Sequence, residues 1–308
     1  MTSFFSRNLL LILLSFCPVL LLAGCGVEAE QLAADTAGAP EVDRTLLMPF
    51  VEAQLAMGAR HSGSEGARKT AEWIKNESGG ELQVFTEYGK TYRNVVRIVP
   101  GTDADGRSVV VGAHHDTKVL DIYPRFDGAN DGASGVAALL AMIRALPEKT
   151  TLPFDLHFVF FDGEEARFEY SDRDGLHGSR HYVKQIDARK CCAMILLDMI
   201  GDKDLDVRFP SNCSRDLVTL AVAVSRKNGT LKQFDRGGGD ILDDHLPFLK
   251  AGIPAIDFID FNYGPDNRYW HTDQDSLDKI SAESMAMTAD TVLELIWALG
   301  AADKEKIE

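Results

Sequence analysis

Residues 108–118 read SVVVGAHHDTK, an apolar and β-branched run that changes abruptly into imidazoles and a carboxylate. A run of this length and composition is typical of a buried strand in a parallel sheet. His114, His115 and Asp116 follow it directly. Ligands of open α/β sheets bind at the carboxyl ends of the strands, so these polar residues are candidates for a functional site.

Four other segments have the same strand pattern, and helical patterns lie between them. The predicted strands are NVVRIV (94–99), LHFVFF (156–161), AMILLD (193–198) and IPAIDF (253–258). The predicted helices span residues 64–75, 132–146, 215–226, 244–250 and about 282–299. This alternation predicts an α/β fold: a three-layer sandwich in which a mostly parallel mixed sheet has helices on both faces. We expect residues 41–308 to form a single domain.

The composition excludes several classes of protein. The chain has 308 residues, of which 45% are apolar and 26% charged, as in a globular protein with a sizeable core. Its 32 basic and 47 acidic residues give a formal charge of -15, which would repel nucleic acid. The five cysteines include no CxxC pair, so any metal site must be built from His, Asp and Glu.

The N-terminal segment has the pattern of an export signal. Arg7 is followed by the apolar run LLLILLSFCPVLLLA, and the segment ends in Leu-Ala-Gly before Cys25. This ending resembles the bacterial lipobox, which implies a signal peptide over 1–24 and a lipid on Cys25; a plain signal peptide is the alternative. We expect residues 26–40 to be a flexible tether. The resemblance implies a protein held at the bacterial cell envelope, facing the periplasm or the outer surface, by its lipid alone.

Export would place three further cysteines, Cys191, Cys192 and Cys213, in an oxidising compartment. One alternative is a disulfide from Cys213 to one of the adjacent pair. The interpretation that we favour is that all three are small buried hydrophobic residues.

Carboxylates and imidazoles recur at the ends of the predicted strands. A zinc ion without thiolate ligands needs imidazole nitrogens and carboxylate oxygens held by rigid elements. One acidic residue at a strand end is usually solvated or caps a helix, but several in the same topological position favour a metal site. The residues concerned are His114, Asp116, Asp127, Asp131, Asp162, Glu164, Glu165, Asp198 and His271.

The motifs in this order resemble the zinc aminopeptidase and glutaminyl cyclase superfamily, over about residues 45–299. The matching segments are GAHHDTK (112–118), GANDGASG (128–135), FFDGEEA (160–166), GSRHYV (178–183), LLDMIG (196–201), DDHLPFLKAGIP (243–254) and YWHTDQD (269–275). The resemblance implies the zinc aminopeptidase-like fold.

The resemblance also implies roles for individual residues. Asp131, Glu165 and His271 match the zinc ligands that both branches share. His114 and Asp198 match the residues that hold a second ion, bridged by Asp131, in the di-zinc aminopeptidases. Glu164 matches the general acid/base of both branches.

Three features resemble the glutaminyl cyclase branch: the stretch ARFEYSDRDGLH after Glu165, the Asp243-Asp244-His245 sequence, and Trp270 before His271. Other positions depart from it. Where animal cyclases form a disulfide, this chain has Ala113 and Ser134-Gly135. Tyr170 occupies a position at which the cyclases have Trp, and His115 occupies one at which both branches commonly have Tyr. The segment GASGVAALL resembles the peptidase form.

We therefore expect a zinc-dependent glutaminyl-peptide cyclotransferase that converts N-terminal Gln of peptides or proteins to pyroglutamate and releases ammonia. The expected site has one zinc ion, the catalytic carboxylates Glu164, Asp198 and Asp243, and substrate walls from Trp270 and Tyr170. We expect a monomer. The alternatives are a di-zinc aminopeptidase that hydrolyses N-terminal residues and, more remotely, an inactive binding module at the cell surface.

Overall fold

The computed structural model describes residues 26–102, 105–123 and 126–304. The predicted signal peptide and Cys25 lie outside these residues. The strands are β1 (Glu81–Glu87), β2 (Lys90–Val99), β3 (Ser108–His114), β4 (Asp155–Phe161), β5 (Cys191–Asp198), β6 (Val207–Phe209), β7 (Phe234–Arg236) and β8 (Ala255–Ile259). The α-helices are α1 (Gly26–Ala34), α2 (Leu47–Leu55), α3 (Glu65–Ser78), α4 (Ala133–Ala145), α5 (His177–Val183), α6 (Arg215–Lys227), α7 (His245–Lys250) and α8 (Ala282–Lys304).

Six strands form one mixed sheet in the order β1-β2-β4-β3-β5-β8. Strands β4, β3, β5 and β8 are parallel, whereas β2 is antiparallel to both β1 and β4. The carboxyl ends of the four parallel strands therefore meet at one edge. Strands β6 and β7 form a separate two-stranded sheet.

Helices cover both faces of the six-stranded sheet, as the sequence predicts. The larger core packs the buried sides of α4, α6 and α8 against one face, and residues such as Val111 and Phe158 of the sheet contribute to it. On the other face, Tyr182 of α5 and Phe248 of α7 pack in a smaller core. Helix α8 is apolar and long enough to cross a membrane, but 67% of its most apolar stretch is buried, as expected for a core helix.

Each of the five predicted strands and five predicted helices corresponds to an observed element. Local signals define some of the boundaries. Ser64 caps α3 by accepting a hydrogen bond from the Ala67 amide at 3.0 Å, and Gly79 ends it in the left-handed conformation, with φ 64°. Helices α2 and α5 and strands β1, β6 and β7 were not predicted. Strand β1 lies at the edge of the sheet and carries several exposed residues, so it has no continuous apolar run.

The prediction of a flexible tether over residues 26–40 is wrong for its first part, which forms α1. Ala29, Leu32 and Ala33 are 5%, 4% and 1% exposed and belong to the larger core. Their spacing places them on one face of a helix. The composition of this segment, rich in small residues, suggested flexibility. The helical spacing of its apolar residues instead allows it to pack as a helix on α6 and α8.

The disulfide considered for Cys213 does not form. Cys191 and Cys213 are free thiols. Cys191 is 2% exposed and lies in the smaller core, and the Cys213 sulfur accepts a hydrogen bond from the Asp257 amide at 3.3 Å. Cys191 therefore packs as a small buried side chain, as favoured from the sequence, whereas Cys213 is only half-buried.

Candidate metal centre and active site

The carboxyl edge of the parallel strands gathers the predicted site residues. His114 ends β3, Asp198 ends β5, and Glu164 and Glu165 follow the end of β4. The remaining two donors come from connections: Asp131 lies just before α4, and His271 lies between β8 and α8. The ends of strands therefore supply four of these six residues, and loops supply the other two.

Asp131 is shared by two groups of potential metal ligands. Its Oδ1 lies 3.2 Å from His114 Nε2, which is also 3.1 Å from Asp198 Oδ1. Its Oδ2 lies 3.1 Å from His271 Nε2, which is also 3.2 Å from Glu165 Oε1. The donor atoms of each group lie within 4.8 Å of one another. The structure thus brings together all five ligands that the resemblance implies.

The chemistry of these donors fits zinc. Each group combines one imidazole with two carboxylates, which are the ligands that zinc takes when thiolates are absent. Asp131 Oδ2 and Glu165 Oε2 are buried oxygens, and the groups beside them are the His271 imidazole at 3.1 Å and the Lys118 ammonium at 3.1 Å. Gathering carboxylates in a buried site is costly, and a bound cation would lower that cost. The edge is therefore a candidate zinc centre.

Glu164 faces the pocket beside these ligands. It is 4% exposed, and its Oε1 accepts a hydrogen bond from the Tyr170 hydroxyl at 2.8 Å. Burial raises the pKa of Glu164 well above its usual range, and the neighbouring charge of Glu165 raises this pKa further. The environment therefore favours the protonated form of this carboxyl.

The turn that carries both glutamates is held by Asp116, a role that sequence reasoning missed. The carboxylate of Asp116 accepts hydrogen bonds from the backbone amides of Glu164 at 3.1 Å and Glu165 at 3.3 Å. It also lies 3.7 Å from His114 Nδ1. The only sequence signal was its position directly after the two histidines at the end of β3.

Asp243 belongs to a group of buried acids next to Glu164. It is 2% exposed, and burial raises its pKa well above the usual range, with Asp257 and Asp198 raising it further. Asp257 was also missed by the sequence analysis. It is fully buried in β8, and its Oδ2 lies 3.6 Å from His245 Nδ1. Its signal was a single charged residue inside the apolar strand segment IPAIDF.

A cavity of about 240 Å³ opens beside these residues. Trp270 and Tyr170 line it, as predicted, together with Ile241 and Phe261. The Trp270 ring stacks on His271 with their centroids 4.0 Å apart, and Phe261 packs edge-on against Trp270 at 4.9 Å. The cavity thus has flat apolar walls on one side and the acids and metal donors on the other. Of the expected zinc ligands, catalytic carboxylates and substrate walls, all line the cavity except His114, and the strand-end candidates Asp116, Asp127 and Asp162 do not line it.

The fold and the donor arrangement are those of a zinc-dependent peptidase-like enzyme, and sequence comparison agrees. Residues 94–296, about two thirds of the chain, match peptidase family M28. The chain therefore belongs to peptidase family M28.

Relatives within this fold include glutaminyl cyclases and a peptidase. A solved glutaminyl cyclase from an Acidobacteriales bacterium is 31% identical, with a TM-score of 0.76 over 85% of this chain and 96% of that one. Glutaminyl-peptide cyclotransferase from Bos taurus is 28% identical over 71% of this chain and 70% of its own. A Zn-dependent exopeptidase from Parabacteroides distasonis is 25% identical, with a TM-score of 0.73 over 84% of this chain and 99% of that one. These findings confirm the resemblance to the glutaminyl cyclase branch.

Removing the imidazole of His271 should abolish tight zinc binding. We expect His271→Ala to lower zinc affinity by more than about 100-fold, since loss of a direct ligand should exceed the effect of an outer partner. Competition with a chelator measures the affinity. His181→Ala is the control, because His181 stacks on Phe85 away from the donors. Equal zinc affinity in the two variants would contradict this assignment of the ligand.

Proposed function

We propose that this protein is a zinc-dependent glutaminyl-peptide cyclotransferase, which converts the N-terminal Gln of peptides or proteins to pyroglutamate and releases ammonia. The observation that carries the proposal is the buried carboxyl of Glu164, which the Tyr170 hydroxyl holds between the metal donors and the apolar wall. The similarity to glutaminyl cyclases supports it.

The reaction is an exchange of one bond for another. The α-nitrogen of the substrate forms a bond to the side-chain amide carbon, and the bond from that carbon to the amide nitrogen breaks. One proton leaves the α-nitrogen, and one proton must reach the departing ammonia. A single carboxyl that accepts the first and donates the second balances the reaction.

Asp131, Glu165 and His271 would hold the catalytic zinc. When bound, zinc supplies Lewis-acid polarisation of the amide carbonyl. Glu164 takes the proton from the attacking amine and delivers it to the ammonia. Its burial and the hydrogen bond from Tyr170 keep it pointing into the cavity.

Other residues of the site orient the substrate and support Glu164. The flat walls of Trp270 and Tyr170 restrict the glutamine side chain, so that its amide carbon stays close to the α-amine. Asp198 and Asp243 also line the cavity, and the charge of Asp198 raises the pKa of both Glu164 and Asp243. We propose that these three carboxyls share protons as one group.

A di-zinc aminopeptidase is the second candidate. The group of His114, Asp131 and Asp198 offers a second set of donors, and one similar structure is a Zn-dependent exopeptidase. In this function Glu164 would take a proton from the attacking water. An inactive binding module is the third candidate and predicts no turnover at all.

Substitution of Glu164 tests these functions. Glu164→Gln should lower kcat/KM for a peptide that begins with Gln by about 10²- to 10⁴-fold, because the proton carrier is lost. Zinc content should stay unchanged. The matched control is Glu169→Gln, since Glu169 is exposed. Mass spectrometry of the products of a Gln peptide and a Leu peptide gives the rates.

The unsubstituted enzyme distinguishes the candidates in the same assay. Release of ammonia from the Gln peptide alone supports the cyclotransferase. Release of the N-terminal residue from either peptide would identify an aminopeptidase. A zinc-loaded protein that changes neither peptide would favour the binding module.

We propose that one zinc ion suffices and that the protein acts as a monomer, since one chain supplies every donor and both cavity walls. His114→Ala should then keep one bound zinc per chain, because Asp131, Glu165 and His271 remain. Elemental analysis after gel filtration measures the ratio. A fall from two zinc ions to one in this variant would instead identify a di-zinc site.

We also propose that the protein is exported and anchored to the bacterial envelope by a lipid on Cys25, as the lipobox-like sequence suggests. Cells fed a labelled fatty acid should incorporate the label into the intact protein. We expect Cys25→Ser to lose the label and leave the membrane fraction, whereas Cys17→Ser keeps both. Labelling that survives in Cys25→Ser would refute the lipid site.

A further inference from the structure

Arg60 is a fully buried residue that the motifs and the proposed reaction do not include. It lies before α3 and is 0% exposed. Its guanidinium donates hydrogen bonds to three backbone carbonyls: His115 at 3.3 Å, Asp127 at 2.7 Å and Gly128 at 2.9 Å. It thereby links the segment after β3 to the segment that leads into Asp131.

The other end of that segment is held by a residue of opposite charge. The carboxylate of Asp275 accepts hydrogen bonds from the backbone amides of Asn130 at 2.7 Å and Asp131 at 3.0 Å. Asp275 is itself 1% exposed and accepts the Tyr263 hydroxyl at 2.9 Å. A cation thus holds the carbonyls of residues 127–128, and an anion holds the amides of residues 130–131.

The backbone between these two contacts has little freedom. Gly128 has φ +59°, and a Cβ there would lie 2.5 Å from the Asp131 carbonyl oxygen and 3.1 Å from Arg60 Nη2. The Arg60 amide also donates to Thr117 Oγ1 at 3.1 Å. Arg60 is therefore packed directly against the turn, and its own position is fixed by the segment after β3.

The charge of Arg60 suits this location. Burial lowers its pKa to about 10, and Asp275 and Asp131 oppose that shift, so the guanidinium stays protonated at neutral pH. Planar guanidinium donors contact several acceptors in fixed directions, which a lysine ammonium does not reproduce. A merely space-filling residue would need neither property.

We propose that Arg60 is a positioning residue: together with Asp275 it holds residues 127–131 so that the two carboxylate oxygens of Asp131 point at His114 and His271. The inference rests on the zinc site proposed above. Partners that orient a metal ligand typically change metal affinity by about 10- to 100-fold when they are replaced.

Zinc affinity of Arg60→Lys, measured by chelator competition, tests this role. The variant keeps the positive charge but loses the planar set of guanidinium donors, so we expect zinc affinity to fall by about 10- to 100-fold. Absorption of the cobalt(II)-substituted protein should also change, because it reports ligand geometry. Arg68→Lys is the matched control, since Arg68 is exposed on α3 and pairs with Glu65. Leu32→Ala controls for lost stability, because Leu32 is buried in α1.

If substitution of Arg60 prevents folding, substitution of Asp275 tests the same role. Asp275→Asn weakens the other end of the same segment and should lower zinc affinity similarly, with exposed Asp273→Asn as its control. Unchanged affinity and an unchanged cobalt spectrum in the folded variants would overturn the positioning role. If the unsubstituted protein bound no zinc, the zinc site itself would be refuted.

Discussion

The position of one carboxylate, that of Asp131 between two imidazoles, constrains the rest of the site. Its two oxygens lie 3.2 Å from His114 and 3.1 Å from His271, and these histidines are 157 positions apart in the sequence, as their numbers show. Donors at such distances require a rigid frame, because small displacements would change a metal site. The parallel strands provide it: β3 places His114, and the turn before α4 places Asp131.

The same edge concentrates acids at a cost to stability. Glu164, Asp243 and Asp257 are each buried, and burial raises the pKa of each well above its usual range. Burying several carboxyls close together is unfavourable, so this cluster is difficult to explain by folding alone. It is understandable in an enzyme that binds a cation and moves protons. The proposed reaction therefore accounts for a group of buried acids that the fold does not need for its stability.

Much of the fold was predictable because its elements carry local signals. The apolar run at 108–113 and the helical pattern at 132–146 each became the expected element, β3 and α4. Elements whose signal depends on their surroundings were missed. Edge strand β1 is partly exposed, and the short helix α5 has too few turns for a clear periodicity. Helix α1 was misinterpreted because its small residues resemble a tether until they pack on α6 and α8.

The sequence by itself determined which residues could serve as ligands and acids, since the strand-end motifs name Asp131, Glu165 and His271 through their resemblance to a family. Only the tertiary structure decided which residues hold them. Arg60 and Asp275 lie 215 positions apart, as their numbers show, and yet contact the two ends of one five-residue segment. Such contacts leave no periodic pattern in a sequence, because they join side chains to distant backbone atoms whose proximity exists only after the sheet has formed.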